Sequence, residues 1–218
     1  MPKARAWKDA LYHEFARVGK ALASPLRLEL LDLLSQGPKS VESLAHELEA
    51  TVANVSQHLR ILAQAQLVKS QRSGTFVIYR LAHPHIVALL HQIQAVSEGL
   101  HAEIRELRQA CLSDRDALPP VTAQELQQFI ASGDVYLINV RPAAEYAAGH
   151  LPGALSVPLP EVARHFQHWD DSRPIVAYCR GRYCLYAQDA VEILRQHGVK
   201  SRRTEVGVWD WPGAAPVG

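Results

Sequence analysis

The sequence predicts two domains in tandem, a mainly α domain followed by an α/β domain built on an open, mostly parallel sheet. Three observations predict it. Residues 1–112 carry apolar positions three and four apart, broken by Ser, Pro and Gly, and include one hairpin pattern. From residue 121 onward, short apolar runs of strand type alternate with helical segments. Between them Ser113-Asp114-Arg115-Asp116-Ala117-Leu118-Pro119-Pro120 is polar, then proline-rich, without periodicity, which reads as a linker. Domains at 1–112 and 121–218 are each long enough to bury a core.

Composition narrows the function classes. With 48% hydrophobic and 21% charged residues the chain is that of a folded globular protein, and no apolar run approaches the roughly 18 residues that span a bilayer. The basic start, Met1-Pro2-Lys3-Ala4-Arg5-Ala6-Trp7-Lys8, leads into an amphipathic helix instead of an apolar secretory core, so a cytoplasmic protein with no membrane partner is expected. Three cysteines, an odd number, do not make a disulfide framework and direct attention to metal or redox chemistry. Residues 1–112 hold 13 Lys and Arg against 10 Asp and Glu, a net +3; residues 113–218 hold 10 against 12, a net −2. A total of +3 is weak evidence for a nucleic-acid surface, which needs a local patch.

In the first half, Leu11, Phe15, Val18 and Leu22 share one helix face over residues 7–22. Ser24-Pro25 then starts a second helix, serine as cap and proline at the first position, with Leu26, Leu30, Leu33 and Leu34 inward until Gly37-Pro38. Ser40 caps a third helix carrying Val41, Leu44 and Leu48. Thr51 caps a fourth, Val52 to about Gln64, with Val55, Leu59 and Leu62 inward. The period then changes to two: Leu67 to Gln71 and Thr75 to Leu81 read as strands around Arg72-Ser73-Gly74. Short helices followed by a hairpin outline a winged helix-turn-helix.

The segments Lys20-Ala21-Leu22-Ala23-Ser24-Pro25-Leu26-Arg27-Leu28 and Thr51 to Leu62, followed by Ala65-Gln66-Leu67-Val68, resemble the ArsR family of dimeric repressors. The resemblance implies that the fourth helix reads double-stranded operator DNA. Asn54, Ser56, Gln57, His58 and Arg60 are then available to bases and phosphates, and Lys69 and Arg72 on the wing to phosphate or the minor groove. Taken without the resemblance, these are also the residues of a solvated helix face.

Residues 84–111 predict one long helix, with Ile86, Ile93, Leu100 and Leu107 seven apart and Leu89, Leu90, Val96 and Ile104 beside them. The resemblance makes this helix the homodimer seam. Family metal sites find no support in the sequence: residues 39–50 hold no cysteine, and Val96 and Gly99 stand where ligands paired with His83 and His85 would fall. No cofactor is expected. Cys111, four residues after Leu107, reads as a small core residue.

In the second half Thr122-Ala123-Gln124-Glu125 is a capping box for a helix ending near Gly133, and Val135–Val140, Ala154–Pro158, Ile175–Tyr178 and Thr204–Val206 read as strands. Sites in parallel sheets lie at strand carboxyl ends, where Cys179-Arg180-Gly181-Arg182-Tyr183-Cys184 falls, ahead of a helix over Leu185–Gln196. Helix N–H groups and the two arginines are expected to lower the Cys179 pKa and to attract an anion. A buried structural cysteine is the plainer reading.

This half resembles a rhodanese domain through Leu137-Ile138-Asn139-Val140-Arg141, Glu145-Tyr146, Gly149-His150-Leu151-Pro152-Gly153-Ala154, the cysteine loop, and Gly207-Val208-Trp209-Asp210-Trp211-Pro212. The resemblance implies a rhodanese-like open parallel sheet and a Cys179 that takes sulfane sulfur from a donor such as thiosulfate or polysulfide, becoming a persulfide. Two departures stand out: Asn139 replaces the family's aspartate, and Cys184 replaces an arginine. Cys184 either attacks a Cys179 persulfide or packs inward as an inert thiol.

Three functions follow as expectations. The leading one is a dimeric DNA-binding regulator, a repressor, whose rhodanese-like domain senses or processes reactive sulfur. The second is a sulfurtransferase tethered to a DNA-binding module. The third is a metalloid sensor using Cys179 and Cys184, with Cys111 as a further thiol.

Overall fold

The computed structural model describes residues 4–112, 118–166 and 173–211. Residues 113–117 of the expected linker, and Pro212, lie outside the described residues. The chain divides into two compact units, Met1–Val96 and Ser97–Gly218, so the division falls ahead of the expected linker.

The first unit holds α1 (Ala4–Leu22), α2 (Pro25–Ser35), β1 (Lys39–Ser40), α3 (Val41–Glu47), α4 (Val52–Gln64), β2 (Val68–Ser73), β3 (Phe76–Leu81) and most of α5 (His85–Leu100). The helix starts obey their caps. Ser24 is extended and its carbonyl accepts from the N–H groups of Arg27 and Leu28, while Ser40 and Thr51 accept from Ser43 and Asn54 at 3.1 and 3.2 Å. Leu30, Leu31, Leu44, Val55, Leu59 and Leu62 are fully buried and fasten α2, α3 and α4 together. The sheet runs β1-β3-β2 and is antiparallel throughout. Strand β1, two residues long, has no strand pattern in the sequence. Strand β2 extends through Arg72, opposite Val77, and reaches Ser73, so the expected three-residue turn shrinks to Gly74-Thr75, with Gly74 at φ +60°.

The long helix expected from Pro84 to Cys111 is corrected to two, α5 and α6 (Ala102–Leu112), separated at His101. Gly99 weakens the last turn of α5, and the Glu98 carbonyl accepts from the Arg105 guanidinium. Ile86 and Leu90 are buried in the first unit's core, whereas Leu89, Val96, Leu100 and Leu107 are exposed. Cys111 is also exposed, and Leu112 is the buried residue of α6, which corrects the reading of Cys111 as a core thiol.

The second unit continues with α7 (Ala123–Ser132), β4 (Tyr136–Asn139), α8 (Ala143–Ala148), β5 (Leu155–Ser156), α9 (Val162–His165), β6 (Ile175–Tyr178), α10 (Tyr186–Gln196) and β7 (Ser201–Arg203). The Thr122–Glu125 capping box is formed, and Gly133 closes α7 in the left-handed conformation at φ 72°. The sheet is parallel in the order β5-β4-β6-β7. Side chains of β6 alternate between two apolar clusters, Ile175, Ala177 and Cys179 toward one, Val176 and Tyr178 toward the other. The last strand is shifted from the expected Thr204–Val206 to Ser201–Arg203, and Thr204 makes an isolated bridge with Val121. Polar Ser-Arg-Arg hides this strand from an apolar pattern. Its arginines are held locally, Arg203 by Glu205 at 3.0 Å and Arg202 by the Pro119 carbonyl and Glu125.

Candidate functional site

On the first unit, the nucleic-acid candidates sit on α4 and β2. Asn54, Gln57 and Arg60 are exposed on α4, and Lys69 and Arg72 are exposed on β2. Ser56 and His58 are half-buried, and His58 Nδ1 lies 3.5 Å from Arg27 Nη1. The rest of the Arg27 guanidinium donates to the carbonyls of Ala21, Lys20 and Ala23. Arg27 thus ties the α1–α2 junction to His58 of α4. Nothing in the sequence but its place inside the Ser-Pro-Leu-Arg start pointed to it.

The second unit carries the thiols. Cys179 leaves the carboxyl end of β6 and Cys184 stands just before α10, so the loop of residues 179–185 lies where unpaired helix N–H groups gather. Cys179 is 1% exposed, and its thiol donates to the Cys184 carbonyl at 3.3 Å and toward that of Gly181 at 4.0 Å. Burial, then the hydrogen bond with Cys184 and that thiol's charge, raise the Cys179 pKa well above an ordinary cysteine. The lowered value expected for Cys179 is therefore corrected. Cys184 takes the opposite shift, down to about 7, because Cys179 hydrogen-bonds to it, the N–H groups of Arg180 and Tyr186 point to it, and Arg180 is near. Backbone N–H groups act to lower both values, those of Ala187 and Gly181 at Cys179 and those of Arg180 and Tyr186 at Cys184, but at Cys179 burial outweighs them. The two thiols titrate as a pair.

The arginines also differ from expectation. Arg180 makes a two-pronged pair with Glu145, Nη2–Oε1 2.5 Å and Nε–Oε2 3.0 Å, and Glu145 is 2% exposed. Arg182 pairs with Glu98 at 3.1 Å, and Glu98 also binds Arg108 at 3.4 Å. Burial and the hydrogen bond to Glu98 raise the Tyr183 hydroxyl pKa. Both loop guanidiniums are thus engaged by carboxylates, so the expectation that they stand ready for an anionic donor is corrected. Gly181 is at φ +120°, and a Cβ on Gly207 would meet the Arg180 carbonyl oxygen at 2.9 Å, so the C-terminal turn packs on the loop as closely as glycine permits. At the departure from the family pattern, Asn139 is buried. Its Oδ1 accepts from Arg141 N–H and Nε, and its Nδ2 donates to Tyr178 Oη at 2.8 Å.

Fold and site together define a helix-turn-helix regulator fused to a rhodanese-like domain, and comparison with known proteins agrees. Residues 24–70 match the bacterial regulatory protein family arsR, and residues 122–211 match the rhodanese-like domain. The chain is 39% identical to the HTH-type transcriptional regulator Rv0324 of Mycobacterium tuberculosis over 97% of its own length and 96% of that protein's. It is 38% identical to the regulator NmtR of the same organism over 38% of this chain and 68% of that one. Among solved structures it is similar to the homodimeric winged helix-turn-helix DNA-binding domain of Mb0332 from Mycobacterium bovis, at 38% identity, covering 45% of this chain and 89% of that one, with a TM-score of 0.42. The chain belongs to the ArsR family of DNA-binding transcriptional regulators, with a C-terminal rhodanese-like domain. Among the described residues no helix is long and apolar enough to cross a membrane.

Proposed function

We propose that the protein is a cytoplasmic homodimeric repressor that reads reactive sulfur through Cys179 and Cys184. The carrying observation is that Cys179, whose thiol donates to the Cys184 carbonyl at 3.3 Å, and Cys184 stand together in the β6–α10 loop of a chain that belongs to a DNA-binding family. A proton moves from Cys179 to the Cys184 thiolate, which frees the Cys179 thiolate to attack the sulfane sulfur of a donor. The donor S–S bond breaks and its thiolate or sulfite leaves, giving the Cys179 persulfide. Cys184, once more a thiolate, then attacks Cys179 Sγ; the Sγ–sulfane bond breaks, hydrosulfide leaves, and a Cys179–Cys184 disulfide remains. One sulfane sulfur is reduced and two thiols are oxidised, so the step needs no further oxidant.

Dimerisation is supported by the exposed Leu89, Val96 and Leu100 of α5, Leu107 of α6, and Trp7, Tyr12 and Phe15 of α1, an apolar set a second copy would cover. Two copies then present two α4 helices, with Asn54, Gln57 and Arg60 outermost, to a two-fold operator. Sulfur modification has to favour one of two dimer arrangements to change DNA affinity. The test is mass spectrometry of the full chain after sulfane-sulfur exposure, paired with operator binding on the same samples. A persulfide or disulfide on residues 179–184 with altered binding is expected; modification without any change in binding overturns the sensing role. Multiple turnover with thiosulfate, lost in Cys179→Ser while operator binding stays unresponsive, selects the tethered sulfurtransferase instead. Stoichiometric arsenite binding lost in Cys179→Ser, with no sulfur modification, selects the metalloid sensor.

A further inference from the structure

The charges around the cysteine loop are closed into pairs. Arg180 is neutralised by buried Glu145, and Arg182 by Glu98, whose side chain is 17% exposed and held from its other side by Arg108. A third carboxylate, Asp210, accepts from the Gly207 N–H at 2.8 Å and stands 3.9 Å from where a Gly181 Cβ would project. Arg108 is in turn 3.9 Å from Glu205, which also takes Arg203. The two guanidiniums of the loop are thus each matched by one carboxylate, with Arg141 close enough to Glu145, Arg180 and Cys179 to interact with their charges. A dianion arriving here finds Arg180 and Arg182 already matched by carboxylates and gives up more hydration than a neutral or singly charged donor does. The pair that sequence alone would not supply is Glu98–Arg182, because Glu98 lies 84 residues from the loop.

We propose that Glu98 is a specificity-determining residue which, by neutralising Arg182, makes an alkyl persulfide, R–S–SH, the preferred sulfur donor over dianionic thiosulfate. The inference rests on the reading of Cys179 as the sulfur acceptor. The Cys179 thiolate attacks the terminal sulfur of R–S–SH; the S–S bond breaks, R–S⁻ leaves and takes up a proton from solvent, and Cys179–S–SH forms. With thiosulfate the same attack expels sulfite, and the transition state carries two more negative charges past the ion pairs.

The experiment measures the rate of Cys179 persulfide formation in the full chain by rapid quench and mass spectrometry. Hydroxyethyl persulfide and thiosulfate are compared in the wild-type, Glu98→Gln, Arg182→Gln and doubly substituted proteins. In the wild type the alkyl persulfide reacts at least about tenfold faster, and Glu98→Gln raises the thiosulfate rate about five-fold at low salt, an effect that shrinks as salt screens it. In the double variant that gain disappears, because it acts through the Arg182 charge and not through a loosened helix. Thiosulfate reacting as fast as the alkyl persulfide in the wild type overturns the proposal. So does a gain that survives in the double variant. Failure of both donors to modify Cys179 overturns the underlying acceptor reading instead.

Discussion

Replacing Cys179 with alanine tests where the loop keeps its negative charge. In the structure the largest cause of the low Cys184 pKa, about 7, is the hydrogen bond from Cys179; burial opposes it, and the N–H groups of Arg180 and Tyr186 assist. At pH 7.4 a thiol with a pKa near 7 is roughly 70% thiolate, against about 7% for an ordinary cysteine near 8.5. Removing the donor leaves burial against two backbone N–H groups, so the Cys184 midpoint is expected to rise by about one pH unit or more. The assay is iodoacetamide alkylation between pH 5.5 and 9.5, with each cysteine peptide quantified by mass spectrometry and exposed Cys111 as the internal reference. The midpoint is the readout, because a more acidic thiolate is also a weaker nucleophile and the rate at one pH mixes the two effects. Wild-type alkylation of Cys179 ahead of Cys184, with a midpoint near 7, would refute the proton assignment. An unmoved Cys184 midpoint in Cys179→Ala would refute its cause.

Three further outcomes are expected. The two cysteines give the fold opposite pH dependences: the lowered Cys184 pKa supplies stability that fades as pH falls through about 7, and the raised Cys179 pKa removes stability as pH climbs above the ordinary cysteine range. Urea unfolding across pH 6 to 10 is expected to show a maximum between these limits, with the alkaline loss abolished in Cys179→Ala. Glu145→Gln strands the largely buried Arg180 guanidinium and is expected to cost about 3 kcal/mol, read from denaturant midpoints; a change under about 1 kcal/mol would mean the pair is solvated. Leu100→Glu, on a residue 74% exposed, is expected to yield monomers in sedimentation with the helical content kept, and operator affinity is expected to fall with it.

Much of this was legible in the residues themselves. Caps and stops placed α2, α3, α4 and α7 closely, because Ser24-Pro25, Ser40, Thr51 and the Thr122–Glu125 box act locally. The strand Ile175–Tyr178 was equally plain, since a strand buried on both faces is apolar at every position. Strand β7 was not, because Ser201-Arg202-Arg203 is polar and gains its place from pairing with β6 and from partners distant in sequence. The break at His101 was hidden by a heptad pattern that runs straight through it. At the site, spacing picked out the loop and both thiols as candidates but expected the lowered pKa at Cys179, because the burial that outweighs the N–H groups there cannot be read from a local pattern. Nor can a local pattern reveal Glu98 beside Arg182.

Strand β6 is buried at all four positions and flanked on both edges by parallel neighbours. It therefore behaves as an anvil beneath Cys179. A sulfur atom added there extends the side chain by about 2 Å, and the packed sheet below cannot yield by that amount. On the proposed sulfur chemistry the displacement would go outward into residues 180–184, whose ion pairs end on Glu145 and Glu98. The stiffness of one short strand thus sets the direction in which a chemical event at the sulfur becomes movement.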